Sequence, residues 1–146
     1  MFLIGTLLNF LCIIGALVYS KIPFQELLDF PAMMIIFFPV FFTGFLSNTS
    51  EFGNAFRNLF IEKDFSKKQR TSHGNIFEIM GKVAYGVGWI SFIINLLSSL
   101  TELSSTENPI GLFKIISKSS IPVFYGLFLY YIFFLPAAMK VRNSLK

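Results

Sequence analysis

The chain has 146 residues, of which 54% are hydrophobic, 18% aromatic and only 14% charged. Its mean hydropathy is +0.67. Soluble domains carry about 25% charged residues and small ones bury only part of their surface, so this composition argues against a soluble domain with an apolar interior. The net charge of +4 lies in short segments flanking apolar runs, the pattern of topology signals rather than of a nucleic-acid-binding face.

The first apolar run covers residues 2–19. No basic stretch precedes it and no small-x-small cleavage site follows, so it reads as a retained helix rather than a signal peptide. Cys12, the only cysteine, lies in LNFLCIIGAL and reads as a buried, inert thiol; alone it forms no intrachain disulfide and no thiolate metal cluster. SKIPFQELLDFP follows as a polar hairpin, in which Asp29 and Pro31 suit a helix start. The second span runs over residues 31–46 and contains Pro39, which frees a carbonyl and kinks a helix unless neighbours repair the loss.

In TSEFGNAFRNLFIEKDF, residues Phe52, Phe56, Leu59 and Phe60 fall at helical spacing. This predicts an amphipathic continuation of the second span at headgroup level, either docking a partner or resting on lipid. FSKKQRTSHGN then reads as a flexible basic link, with His73 exposed and lacking a second ligand nearby; the whole link covers residues 49–75. The third span is predicted over residues 76–100. SLTELSSTENP makes a polar turn, and the fourth span follows over residues 110–138. The expectation is one all-α membrane domain, residues 1–146, with four transmembrane helices.

Charge sets the orientation. Arg57, Lys63, Lys67, Lys68 and Arg70 lie between the second and third spans, and Lys140, Arg142 and Lys146 follow the fourth. The first hairpin holds only Lys21, and TELSSTENP holds no basic residue. The positive-inside rule therefore places the link and both termini in the cytoplasm.

Polar residues recur within the spans. Ser91, Asn95 and Ser98 fall at i, i+4 and i+7 on one helical face, suited to close helix packing or to lining a hydrated pore. Lys114 and Lys118 share a face in the outer half of the fourth span. They either snorkel to the headgroups or present a cation to a central partner. Glu26, Asp29 and Glu78 are scattered at helix ends and read as capping or surface groups. No phosphate loop, catalytic triad, cofactor site or metal-ligand spacing is visible, so the chain does not read as an enzyme.

Three stretches resemble the MotA/TolQ/ExbB proton-channel family, in its MotA branch. ELLDFPAMMIIFFPVFFTGFL is similar to the family's acidic-x-Pro start of the second span. EFGNAFRNLF resembles the helix that carries this span into the cytoplasm. ENPIGLFKIISKSSIPVFYGLFLYYIFFLPAAMKVR, with its aromatic-Tyr-Gly step and Leu-Pro before small residues and Lys140, resembles the end of the last span. The resemblance implies a homopentameric ring in the bacterial cytoplasmic membrane. Such a ring surrounds single-span partner helices that carry an intramembrane carboxylate, and it couples proton or sodium flow to mechanical work. It also implies that Trp89, Ser91, Asn95, Ser98, Lys118, Ser119, Ser120, Pro122 and Tyr125 line the ion path or face the partner.

The chain departs from the family pattern at three places. Ile121, Pro122 and Val123 stand where threonine hydroxyls are usual, Trp89 follows Gly88 where a threonine is usual, and the cytoplasmic link is short. These departures leave two alternatives open: a non-conducting ring or scaffold of the same fold, and an unrelated four-helix transporter subunit.

Overall fold

The computed structural model describes residues 2–19, 28–47, 49–60, 65–103 and 109–143, and every regular element among them is helical. Most of the first polar hairpin and of the TELSSTENP turn lies outside the described residues. Helix α1 covers Phe2–Tyr19, α2 Phe30–Ser47, α3 Thr49–Phe60 and α4 Lys67–Leu103. The last apolar run is split into α5 (Pro109–Ser119), α6 (Ile121–Phe128), a π-helical segment (Leu129–Phe134) and α7 (Leu135–Asn143).

Local chemistry accounts for these boundaries. Asp29 Oδ1 accepts the Ala32 N–H at 3.1 Å, the N-cap bond expected for α2, and that helix then continues through Pro39. Helix α4 opens on a reciprocal capping box. The Gln69 N–H donates to Ser66 Oγ at 3.3 Å, and the Ser66 N–H donates to Gln69 Oε1 at 3.1 Å. The segment predicted as a flexible basic link is therefore helical from Lys67, nine residues before the expected start of the third span at residue 76.

The fourth span is interrupted rather than a single smooth helix. Pro122 has no N–H to offer the carbonyl one turn back, and the chain turns at Ser120, whose hydroxyl donates to Ile116 O at 2.7 Å. Before Pro136 the Leu135 N–H reaches Tyr130 O, five residues back, which widens the helix into the π segment.

Three stretches are long and apolar enough to cross a membrane: Phe30–Ser47, Lys67–Thr101 and Gly111–Asn143. Only 22%, 17% and 28% of their most apolar windows are buried, so most of their surface needs lipid or another chain to cover it. Helix α1 is an apolar 18-residue helix beside them, in contact through an edge-on pair of Phe10 and Phe128 with ring centroids 6.0 Å apart. Cys12 is exposed on it, against the buried position expected, because the flank of α1 is largely uncovered.

Helix α4 is the spine, packed against α2, α3 and each segment of the last run. Ile36 and Val40 of α2, Leu59 of α3, Phe77, Met80 and Ala84 of α4, and Phe134 and Ala138 of the last run form one core. The α3 stripe rests on this core rather than on lipid: Leu59 is buried, Phe52 and Phe56 lie against it, and only Phe60 of the four is exposed. Inside a bilayer, burial gains little over contact with lipid tails, so close packing must hold the helices together. It is closest where Gly88 of α4 meets Gly126 of α6. A Cβ on Gly126 would lie 2.5 Å from Ala84 O, and one on Gly88 would lie 2.8 Å from Pro122 O.

Candidate functional site

With 37 residues, α4 is about 55 Å long, well beyond the roughly 30 Å of a bilayer core. Contacts set its register. Gly44, near the end of α2, lies against Met80, while Asp29, at its start, shares a cavity with Asn95 and Ser98. The α2 span thus lies beside residues from about Met80 to about Ser98 of α4, about 27 Å along the helix. The beginning of α4 projects past one end of the bundle, and polar groups gather at both ends.

At the first end, α3, the start of α4, and α7 form a basic collar. Lys140 Nζ donates to Leu59 O at 2.6 Å and Arg70 Nε to Phe65 O at 3.1 Å. Arg142 bonds Asn75 Oδ1 and Glu78 Oε2, both at 2.6 Å, and its side chain fills the space that a Cβ on Gly74 would need. Glu78 also pairs with Lys82 one turn further along α4 at 2.8 Å, while its pair with Arg142 ties α7 to α4.

His73 lies at the centre of this collar, fully buried, which corrects its expected place in an exposed loop. The amide nitrogen of Asn58, itself buried, donates to His73 Nδ1 at 3.1 Å. An amide nitrogen cannot accept, so the ring proton resides on Nε2 and is donated to Glu51 Oε2 at 2.7 Å. Phe65 meets the ring edge-on, with centroids 5.2 Å apart. One histidine thereby pins α3 to α4 through both ring nitrogens. Glu51 and Asn58, seven residues apart on α3, were the available sequence signal: two polar groups on one face of a helix that also presents aromatic residues inward.

The other end holds a cavity of about 510 Å³. Asp29 and Ala32 of α2, Asn95, Ser98 and Ser99 of α4, and Lys114, Lys118 and Ser119 of α5 border it. Four of the nine residues singled out in the sequence, Asn95, Ser98, Lys118 and Ser119, therefore meet at one place. Tyr125 stands next to it, with its hydroxyl oxygen accepting the Asp29 N–H at 3.2 Å.

The remaining four have other roles. Ser91 is buried. Pro122 is buried with its carbonyl against Gly88, at the tightest point of the helix crossing. Ser120 spends its hydroxyl on its own backbone. Trp89 is 43% exposed, between Tyr85 and Phe92 on the open flank of α4. Lys118 lies at the level of Asp29, the start of α2, and so at the mouth of the bundle.

Among the described residues no group of histidine, cysteine and carboxylate side chains could hold a metal ion. Comparison with family models, with curated proteins and with solved structures found no match.

Proposed function

We propose that the chain is the ring-forming subunit of an ion-driven membrane complex of the MotA/TolQ/ExbB type. In this reading α1 supplies a fourth span, five copies surround the membrane helices of a single-span partner, and the partner carries the carboxylate that ions visit. The basic collar and both termini then face the cytoplasm of a bacterial inner membrane, following the positive-inside rule. The observation that carries the reading is the Gly88–Gly126 contact. It joins the third and fourth spans, the two that the resemblance assigns to the ring lumen, into one unit at backbone distance. Large apolar side chains such as Ile90, Ile94 and Leu97 remain exposed beside that unit, available to neighbouring copies.

A carboxylate at membrane depth is costly unless it sits in a protein-lined, hydrated slot, and a ring supplies such a slot. A second reading, a ring of the same build that holds its partner without conducting, draws on Ser120 and Pro122. The Ser120 hydroxyl is engaged with Ile116 O, and Pro122 offers no hydroxyl to an ion. Proton or sodium flux into vesicles holding the chain and its partner separates the two. Conduction predicts a flux that vanishes when the partner's carboxylate is changed to the amide. Flux that survives this change contradicts the proposed path, and its absence in the unaltered complex leaves the non-conducting ring.

A further inference from the structure

The cavity at the mouth of the bundle brings Asn95, Ser98, Lys118 and Ser119, which the resemblance places on the ion path, together with Asp29 and Lys114, which it leaves unassigned. Its volume of about 510 Å³ suits a small polar ligand. Its wall carries two lysines, Lys114 and Lys118, and one carboxylate, Asp29, which leaves one net positive charge. One oxygen of Asp29 is already committed to capping α2. Both lysines are exposed, and neither makes an ion pair or hydrogen bond among the described residues. Asn95, Ser98 and Ser119 add amide and hydroxyl groups that accept or donate as required.

Position selects the kind of ligand. The cavity lies at the first turn of α2, where an apolar span begins, so in a bilayer it opens at headgroup depth. Below it, α2 presents Ile35, Phe38 and Phe42 as an exposed stripe on one face, a path for an acyl chain. A soluble anion would match the lysines but would leave this stripe without a role.

We propose that the cavity binds the headgroup of an anionic phospholipid, with the phosphodiester between Lys114 and Lys118 and uncharged headgroup hydroxyls toward Asn95, Ser98 and Ser119. The single negative charge of a phosphoglycerol headgroup neutralises the site. A zwitterionic headgroup would return a positive charge to it. The inference needs only that the chain lies in a bilayer, and it stands or falls independently of ring formation or ion flow.

Native mass spectrometry of the purified full-length chain, titrated with phosphatidylglycerol, phosphatidylethanolamine or phosphatidylcholine, tests it. Phosphatidylglycerol should bind about tenfold or more tightly than either zwitterionic lipid. The double change Lys114→Ser and Lys118→Ser should abolish the preference, the double change to Arg should retain it, and Lys67→Ser with Lys68→Ser at the opposite end should leave it intact. A preference that survives loss of Lys114 and Lys118, or no preference in the unaltered chain, would overturn the proposal. Displacement of phosphatidylglycerol by glycerol phosphate at matched concentration would also overturn it, since the site would then recognise a free phosphate.

Discussion

His73 shows how far a single side chain can depart from its sequence context. Its neighbours in SKKQRTSHGN are polar and basic, so nothing local marks it as interior. Burial comes from Glu51 and Asn58, which approach from a helix 15 to 22 residues earlier. Replacing His73 with Leu fills the space but strands the buried Asn58 amide. Leaving a buried polar group unpaired costs about 1–3 kcal/mol. His73→Leu should therefore lower the thermal unfolding midpoint in detergent, whereas Thr71→Leu, at an exposed site two residues away, should leave it nearly unchanged. Equal midpoints for the two variants would show that the histidine does not hold α3 to α4. The cavity residues were easier to read. Asn95 and Ser98 repeat at helical spacing in an apolar run, where polar groups need a reason to be present.

Among the elements, α2 was legible because its apolar run is bounded by an Asp and a Pro, and α3 because its aromatics recur at helical spacing. The start of α4 was obscured. Lys67, Lys68, Gln69 and Arg70 resemble a solvated link, and the capping box formed by Ser66 and Gln69 is a weaker signal than the charges around it. The break in the last span was half visible, since Pro122 and Pro136 could be seen while the response of the backbone could not. The crossing of α4 and α6 yields a sharp contrast between two glycines of one helix. Gly88→Ala places a methyl group 2.8 Å from Pro122 O and must push the helices apart, at a cost of about 1–3 kcal/mol. A Cβ on Gly86 meets nothing within 4 Å, so Gly86→Ala should be neutral or stabilise by up to about 1 kcal/mol through helix propensity. Melting both variants in one detergent gives the answer: similar shifts would mean that the close crossing does not organise the bundle.

For the whole molecule, composition alone indicated a helical membrane protein, because apolar content and run length are properties of the sequence itself. Arrangement was less accessible, since it depends on which helix faces which, and small residues at crossings carry that information only weakly. Three apolar stretches meet the length of a bilayer, and α1 lies beside them with most of its described side chains uncovered. Those open flanks are what a ring of copies would cover. The basic collar, tied by Arg142, Lys140 and His73, joins α3, α4 and α7 into a compact block at one end of the bundle. The most direct test of the ring is the native mass of the complex extracted gently from membranes. The account predicts five copies of the 16.6 kDa chain together with a single-span partner that carries an intramembrane Asp or Glu. A particle with the mass of one chain, and no such partner, would contradict it.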